Sequence, residues 1–270
     1  MHTDSIDVST CTGSILEHGA QVMTWAPRGE APVLFTSRAG EAASNTAIRG
    51  GIPVCFPWFG PGRHPGAPFN HGFARTTTWR RIGATGDEVR TVAYRLDRKV
   101  ATDDYWPYAY EAVLTASFGS RLTVALQVTN QDERAFSFEA ALHTYLAIED
   151  IAQVRVEGLD GVSYVDKTAD GAVRHQEGPV TFSGETDRVY ASAGPVFVVD
   201  PVGGREIAVS TSGASGVVVW NPWEEKGSRF ADLGPGDWQR FVCVEAGCVL
   251  DGAVHLEPGR THTLSTTVSL

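Results

Sequence analysis

The fold class follows from one nine-residue stretch, Arg121-Leu122-Thr123-Val124-Ala125-Leu126-Gln127-Val128-Thr129. Its even positions are Leu, Val, Leu and Val, whereas its odd positions are mostly polar. Because successive side chains of a β-strand point to opposite faces, this alternation predicts a strand that is buried on one face only. The residues that follow, Asn130-Gln131-Asp132-Glu133, are typical of the turn that ends such a strand.

Short apolar runs of the same kind recur along the chain, separated by clusters of Gly, Pro, Asp and Asn. They cover residues 33–35, 91–94, 112–118, 196–199, 206–210, 217–220 and 241–244. No stretch shows helical periodicity over more than about two turns. With 29 Gly and 14 Pro to form turns, the sequence predicts an all-β sandwich or barrel. Its length of 270 residues favours one large domain spanning residues 1–270.

Charge and composition argue against several classes of protein. The chain has 22 Lys and Arg against 32 Asp and Glu, a formal net charge of −10. Nucleic-acid binders depend on cationic contacts to phosphate, so we expect no nucleic-acid partner. Hydrophobic residues make up 42% and charged residues 20%, which indicates a globular protein rather than a disordered one. No apolar run approaches the roughly 20 residues that span a bilayer, so we expect no membrane partner.

Cysteine usage and the first residues bear on location. The four cysteines form no CxxC pair and no framework typical of small disulfide-rich proteins; they are Cys11, Cys55, Cys243 and Cys248. Residues 1–7 lack the basic region and the apolar stretch of a secretory signal. We therefore expect reduced, buried thiols in a cytoplasmic protein, and we expect it to be a monomer.

One segment, residues 49–62, is too dense in Gly, Pro and aromatic residues for a regular element. Pro removes backbone donors and Gly tolerates positive φ, so the sequence predicts a fixed irregular loop. Such a loop either closes one end of the sandwich or lines a ligand site. Both interpretations stay open at this level.

Residues 136–148 divide cleanly under strand geometry. The even positions are apolar except for Thr144, while the other face presents Glu139, His143 and Tyr145. We therefore predict that His143 lies on the sheet face away from the core. A histidine in that position is either a hydrogen-bonded surface residue or a catalytic one.

A second candidate, Glu245, is the carboxylate that ends the mostly apolar strand predicted within residues 240–247. A carboxylate placed there is either solvated at a strand end or is retained for function, because burying an unpaired charge is costly. A histidine titrates near pH ~6.5, and burial can raise the pKa of a Glu from ~4.3 towards neutrality. His143 and Glu245 are therefore a possible acid–base pair.

Charged and polar residues elsewhere suggest ligand contacts. Arg75 follows Asn70 and His71 closely, and Arg49 begins the irregular loop. The planar fork of donors on arginine suits phosphate or carboxylate, so two arginines flanking a cleft would favour an anionic ligand, with surface salt bridges as the alternative. Asp187 could accept hydrogen bonds from sugar hydroxyls, or it could be a turn residue before a strand.

Signatures of other enzyme classes are missing from the sequence. It contains no P-loop, no GxGxxG after a strand, no GxSxG elbow, and no HxH or HExxH spacing. Nucleotide-binding, serine-hydrolase and simple metalloenzyme interpretations are therefore disfavoured.

Five blocks of sequence together resemble the glucose-6-phosphate 1-epimerase (hexose-6-phosphate mutarotase) branch of the aldose 1-epimerase superfamily. They are IRGGIPVCFPWFG (48–60), HGFAR (71–75), ALHTY (141–145), ETDRVY (185–190) and VWNPW (219–223). The blocks stand in the family's order and span most of the chain. The resemblance implies a large antiparallel β-sandwich with a sugar-binding cleft.

The resemblance also implies roles for individual residues. It makes His143 and Glu245 the acid–base pair, and it makes His71 a further cleft residue. The residues that the resemblance implies as substrate contacts are Arg49, Asn70, Arg75 and Asp187. The chain departs from the family pattern at Asn70, where many members carry the longer amide Gln.

The reaction implied is anomer exchange of a hexose 6-phosphate through ring opening, which needs no redox cofactor and no metal. Trp58, Phe73 and Trp223 are candidates to stack on the sugar ring. Other functions stay open: a carbohydrate-binding sandwich without turnover, an epimerase of neutral aldoses, and a metal-dependent sugar isomerase with His71, His143 and Glu245 as ligands.

Overall fold

The computed structural model describes residues 2–37, 39, 47–61, 70–97 and 105–270. In chain order its strands are β1 Thr3–Val8, β2 Cys11–Leu16, β3 Val22–Pro27, β4 Val54–Cys55, β5 Arg80–Thr85, β6 Arg90–Asp97, β7 Tyr110–Phe118, β8 Leu122–Asn130, β9 Phe136–Phe138, β10 Ala140–Leu142, β11 Tyr145–Ala147, β12 Arg155–Glu157, β13 Ser163–Asp166, β14 Ala172–His175, β15 Val180–Thr181, β16 Thr186–Tyr190, β17 Val196–Asp200, β18 Arg205–Ser212, β19 Gly216–Asn221, β20 Phe241–Cys248, β21 Val254–Leu256 and β22 Thr261–Ser269.

Helical structure is sparse in the described residues. The α-helix α1 covers only Trp223–Gly227, and single 3₁₀ turns lie at Ala74–Thr76, Asp237–Gln239 and Leu250–Gly252. Over the same part of the chain, no helix has the length and apolar character needed to cross a membrane. The sequence-based expectation of little helix is confirmed.

Two large antiparallel sheets form the body of the molecule. The nine-stranded sheet has the order β15-β12-β17-β18-β22-β8-β7-β6-β5. The eight-stranded sheet has the order β14-β13-β16-β19-β20-β10-β4, and β11 also pairs with β20. Two smaller sheets, β1-β2-β3 and β21-β9, complete the structure. The predicted all-β class and antiparallel sandwich are confirmed.

The core lies between the inner faces of the two large sheets. In β8 the even residues are buried and the odd ones are partly or fully exposed, as the alternating pattern predicts. These even residues share one apolar cluster with Val217 and Val219 of β19 and with Val242 and Val244 of β20. The residues between them, such as Val218 and Cys243, belong to separate clusters on the other face of the eight-stranded sheet. That outer face carries the candidate site.

Some local predictions differ from the structure. Residues 33–35 form no extended strand and contribute only an isolated bridge between Leu34 and Leu146. Glu245 does not end its strand, because β20 continues to Cys248. The irregular loop contains the short strand β4, and its side chains are mostly buried between Arg49 and Gly60. All four cysteines are free and buried.

Candidate active site

A cleft of about 320 Å³ opens on the outer face of the eight-stranded sheet. Its walls combine basic side chains, carboxylates, two imidazoles and aromatic rings. They are formed by Arg49, Phe59, Gly60, Pro61, Asn70, His71, Arg75, His143, Tyr145, Lys167, Asp187, Trp220, Lys226, Phe230 and Glu245. All seven site residues predicted from the sequence are therefore brought together.

Strand register explains why these residues share one face. A row of directly paired residues crosses four strands: Asp187, Trp220, Cys243 and Tyr145. Paired residues of antiparallel strands project from the same face of a sheet. Glu245 pairs with Val218 and lies two residues beyond Cys243, so its side chain projects from that face as well. The predicted division of residues 136–148 into two faces correctly separates His143 from the core.

The centre of the cleft is the pair formed by His143 and Glu245. His143 Nε2 lies 3.4 Å from Glu245 Oε1, and the two side chains are only 7% and 1% exposed. His143 Nδ1 and Glu245 Oε2 are buried and have no hydrogen-bond partner among the described residues. Leaving such atoms without a partner costs roughly 1–3 kcal/mol each, which is typical of a site kept for function.

Burial moves the pKa values of this pair towards each other. Desolvation raises the pKa of Glu245 well above its ordinary value, and the nearby Asp187 raises it further, while Lys167 and Arg75 lower it. Desolvation also lowers the pKa of His143 well below its ordinary value, with contributions from His71, Arg75 and Arg49. Removal of charge from water disfavours the charged form of each group. Burial therefore favours the uncharged forms, a protonated carboxyl on Glu245 and a neutral imidazole on His143.

Tyr145 and Trp220 fix the orientation of the His143 ring. The His143 imidazole stacks on the phenol of Tyr145, with centroids 4.8 Å apart and planes inclined by 8°. Trp220 meets the same imidazole edge-on, with centroids 5.6 Å apart. The alternation predicted over residues 136–148 places His143 and Tyr145 on one face, although in the structure His143 lies between β10 and β11 and not on a continuous strand.

His71 reaches the cleft from a strained turn. Its φ is +65°, and that of Gly72 is +73°. A Cβ on Gly72 would lie 2.0 Å from the carbonyl oxygen of Phe56, so only glycine fits there. His71 Nδ1 accepts a hydrogen bond from Gly60 N–H at 3.3 Å. Burial, together with nearby Arg75 and Lys167, lowers the pKa of His71 to about 3, so this imidazole is neutral.

The two predicted arginines differ in how they are held. Arg49 Nε lies 3.0 Å from Asp232 Oδ2, and its Nη1 donates to the Tyr145 hydroxyl at 3.2 Å. Its guanidinium also lies over the Phe230 ring, 4.4 Å from the centroid. Arg75, in contrast, has no carboxylate partner among the described residues. The guanidinium of Arg75 is thus the less compensated of the two.

Asn70 contributes to the cleft mainly through its backbone. Its carbonyl oxygen accepts a hydrogen bond from Arg75 Nη2 at 2.6 Å. The residue itself is exposed. Asn70 therefore helps to orient Arg75, and its side chain lines the rim of the cleft.

Two lysines that the sequence analysis does not anticipate also line the cleft. Lys167 Nζ lies 3.0 Å from Asp187 Oδ2, and Lys226 Nζ pairs with Glu185. Neither lysine stands in a motif, so local sequence gives no signal for them. Together with Arg49 they make three cleft cations that each have a carboxylate partner.

The aromatic residues of the cleft are not the ones predicted to stack on the sugar. Trp58 and Phe73 are buried in the core, and Trp223 packs against Trp238. The rings that line the cleft are those of Phe59, Tyr145, Trp220 and Phe230.

Glu139 helps to hold Phe59 in place, because its carboxylate accepts hydrogen bonds from the backbone N–H groups of Phe59 and Leu250.

The side chains of the cleft do not form a metal-binding cluster among the described residues. In the described part of the chain, no three His, Cys, Asp or Glu side chains are grouped as they would be around a metal ion. The set His71, His143 and Glu245 is accordingly not arranged as a ligand triad, and His71 Nδ1 is occupied by the Gly60 N–H.

A larger cavity, about 740 Å³, lies elsewhere and contains none of the predicted site residues. Its arginines already have partners: Arg240 pairs with Glu149, and Arg205 donates to the carbonyl oxygens of Pro32 and Ala147. The chemistry of the molecule is therefore concentrated in the smaller cleft.

Known proteins resemble the chain over most of its length. The family model for aldose 1-epimerase matches residues 5–269. A Cenchrus ciliaris protein named "Putative glucose-6-phosphate 1-epimerase" is 32% identical over 261 residues, 92% of this chain and 78% of that protein. A protein of the same name from Escherichia coli K12 is 35% identical over 244 residues, 89% of this chain and 81% of that protein.

A solved structure agrees with these sequence matches. The crystal structure of a "putative mutarotase" from Salmonella typhimurium has a TM-score of 0.92 to this chain at 30% identity. The match covers 99% of this chain and 89% of that one. The similarity therefore includes the strands that carry the cleft as well as the rest of the sandwich.

Proposed function

The chain belongs to the aldose 1-epimerase family, and from that premise we propose that it interconverts the α and β anomers of glucose 6-phosphate or a closely related aldose 6-phosphate. The observation that carries the proposal is the buried pair of His143 and Glu245, whose facing atoms lie 3.4 Å apart in a cleft rich in basic residues. The family makes the enzyme an isomerase. The choice of a phosphorylated substrate is the proposal's own step.

Anomer exchange needs one group that takes a proton from the anomeric hydroxyl and another that gives a proton to the ring oxygen. We assign the first role to Glu245 and the second to His143. The resting pair holds its proton mainly on Glu245, because burial raises the pKa of Glu245 and lowers that of His143. Transfer of this proton across the 3.4 Å gap gives a carboxylate and an imidazolium, which is the reactive form.

The proposed steps balance without any other reactant. Glu245 takes the proton from the hydroxyl on C1 while the C1–O5 bond breaks and O5 takes a proton from His143. The resulting aldehyde rotates about the C1–C2 bond. His143 then removes the proton from the O5 hydroxyl as O5 attacks the other face of C1, and Glu245 returns a proton to O1. Each such proton transfer contributes typically ~10²–10⁴ in rate.

The distribution of charge favours an anionic sugar. The protein has a net charge of −10, yet four of its 22 basic residues line this one cleft, against two acidic ones. Arg75 has no carboxylate partner among the described residues, so its guanidinium is the natural counterion for a phosphate. A cleft for neutral sugars would not require that cation.

The His143–Glu245 pair also argues against a binding module without turnover. Sugar hydroxyls can be held by solvated polar groups, whereas two ionisable side chains with unpartnered buried atoms reduce stability. Such an arrangement is expected where proton transfer is needed.

The test is anomer exchange followed by NMR for glucose 6-phosphate and for glucose, with and without protein. We expect acceleration for both anomers of the phosphorylated sugar and a lower kcat/KM for glucose. Equal kcat/KM for the two sugars would make the protein an epimerase of neutral aldoses. Binding of either sugar without faster exchange would make it a binding protein.

A further inference from the structure

Lys167 stands beside Asp187 in a way that joins both backbone and side chain. Its backbone N–H donates to the carbonyl oxygen of Asp187 at 2.9 Å. Its Nζ lies 3.0 Å from Asp187 Oδ2. Because a backbone hydrogen bond and a side-chain ion pair both join these two residues, their relative geometry is fixed and they present one preformed surface to the cleft.

The pair is shielded and yet reachable by a ligand. The side chain of Lys167 is 30% exposed and that of Asp187 is 16% exposed, and both line the cleft that holds His143 and Glu245. Lys167 Nζ also lies 4.9 Å from the centroid of the Phe59 ring. Phe59 is itself anchored by its backbone N–H to Glu139, so the lysine head has a fixed support.

The charges of this pair suit a neutral polar group better than a phosphate. The ammonium of Lys167 is compensated by a carboxylate 3.0 Å away, whereas Arg75 has no such partner in the described part of the chain. A sugar hydroxyl both donates and accepts a hydrogen bond. A charged donor next to a charged acceptor can therefore satisfy one hydroxyl, or two adjacent ones, with charge-assisted bonds.

The pair arises from a different part of the sheet from the Glu245 strand. Asp187 lies on β16, and β19 separates that strand from β20, which carries Glu245. Neighbouring strands are ≈ 4.8 Å apart, and Glu245 lies two residues beyond Cys243, which shares a row with Asp187. The two carboxylates therefore arise from backbone points roughly 12 Å apart.

We propose that Lys167 joins Asp187, which is already an expected substrate contact, in one subsite that binds ring hydroxyls of the sugar, so that Lys167 is a specificity-determining residue. This inference rests on the proposed function, because it takes a pyranose phosphate as the ligand of the cleft.

The test is a double-mutant cycle with Lys167→Met, Asp187→Asn and the double variant. Anomer exchange is measured with glucose 6-phosphate and with its 2-deoxy, 3-deoxy and 4-deoxy analogues, and Kd is measured by calorimetry for the same four compounds. We expect each single variant to raise KM and Kd for glucose 6-phosphate by about 10-fold to 100-fold. Because Lys167 and Asp187 also act on the pKa of Glu245, kcat is taken for each protein at the pH of its maximal rate, where we expect it to change less than KM. The double variant is expected to resemble the single ones, because the two groups act as a unit.

The deoxy analogues identify the hydroxyl that is read. For at least one analogue, we expect the Kd with wild type to be about as high as the Kd of glucose 6-phosphate with the single variants. The affinity of that analogue should fall little further when Lys167 is replaced by Met. Lys167→Arg is expected to restore part of the affinity. Arg155→Met is the matched control, because it removes a cation paired with Glu157 on the exposed surface and is expected to leave all constants unchanged.

Several results would overturn the inference. Additive losses in the double variant would show two independent contacts, and a fall in kcat at constant KM would place Lys167 in the chemistry instead. A lost preference for glucose 6-phosphate over glucose in Lys167→Met would make it a phosphate ligand. If wild type binds these sugars without exchanging anomers, the proposed function fails while the Kd cycle still decides the subsite.

Discussion

His143 Nε2 lies 3.4 Å from Glu245 Oε1, although the residues are 102 positions apart in sequence; Glu245 is on β20, and His143 lies between β10 and β11. Burial of both groups makes the form with two charges costly unless they face each other. One shared proton resolves that conflict, since it gives either a neutral pair or an ion pair in contact. Ring opening delivers the proton of His143 to O5 while Glu245 takes another proton from the C1 hydroxyl, so the pair holds one proton before and after the step.

Removal of either member is expected to stop this exchange. His143→Ala or Glu245→Gln should lower kcat for anomer exchange of glucose 6-phosphate by at least ~10², because each removes one proton-transfer partner. The measurement is NMR exchange at saturating substrate. Near-normal rates in either variant would remove that residue from the mechanism.

The same Glu245→Gln variant is expected to be more stable than wild type, increasingly so as pH rises. Burial raises the pKa of Glu245 in the folded protein, so above about pH 4.5 the unfolded chain releases a proton that the folded one retains. Folding stability therefore falls with rising pH through this group, by about 1.4 kcal/mol per pH unit at most. The Gln side chain does not titrate, so the Glu245→Gln variant does not lose folding stability through this group as pH rises.

The measurement is the Tm of wild type and Glu245→Gln at pH 5, 6.5 and 8. Glu157→Gln serves as the control, because Glu157 is a half-exposed surface carboxylate paired with Arg155. A Tm difference that is flat across this range, or that shrinks towards pH 8, would contradict a raised pKa at Glu245.

His71 is expected to make the protein sensitive to acid in the opposite sense. Its pKa is lowered to about 3 by burial, with help from Arg75 and Lys167, while a histidine in the unfolded chain titrates near ~6.5. Between these values the unfolded chain binds a proton that the folded one does not, so stability falls as pH falls. From pH 7.5 to pH 5.5 this amounts to roughly 1 kcal/mol.

His71→Asn tests this without adding backbone strain, because Asn tolerates the positive φ found at this position. Urea unfolding at both pH values should show wild type losing more stability than the variant on acidification. Parallel losses in the two proteins would mean that His71 is protonated in the folded state.

Much of the fold is readable from local sequence, because strand alternation is a local pattern. The even residues of β8 are buried as predicted, and the face of His143 follows from the same rule. The sequence pattern wrongly predicts a strand end at Glu245, because residues 245–248 include Gly and do not alternate between apolar and polar. Both faces of β20 are covered there, one by the core and one by the cleft.

Local sequence predicts the site less well where a residue's role depends on partners that are distant in sequence. Lys167 carries no local signal, and its place beside Asp187 exists only because β13 and β16 pair. Likewise Trp58 and Phe73 look like ligand-stacking residues in sequence, but their rings pack in the core. Trp220 instead meets the His143 ring edge-on, because its register opposite Cys243 places its side chain on the outer face of the sheet.

Metal removal is expected to leave anomer exchange unchanged. The proposed mechanism moves protons only between Glu245, His143 and the sugar, so no step calls for a Lewis acid. The measurement is kcat/KM after exhaustive dialysis against EDTA, with an untreated sample carried in parallel. Lost activity that a divalent ion restores would support the metal-dependent isomerase instead.

Preference for phosphorylated sugar is expected to depend more on Arg75 than on Arg49. Both line the cleft, but Arg49 is already engaged by Asp232, at 3.0 Å, and by the Tyr145 hydroxyl. Arg75 donates to the carbonyl oxygen of Asn70 and has no carboxylate partner among the described residues.

A phosphate gains more from an uncompensated guanidinium, by about 1.5–3 kcal/mol for a charge-assisted hydrogen bond. Arg75→Ala should therefore reduce the ratio of kcat/KM for glucose 6-phosphate to that for glucose by roughly 10-fold to 100-fold, and Arg49→Ala should reduce it less. Raised salt should weaken the phosphorylated substrate more than glucose in wild type and less so in Arg75→Ala, because screening acts on the charged pair. A ratio that stays constant across the three proteins would show that neither arginine reads the phosphate.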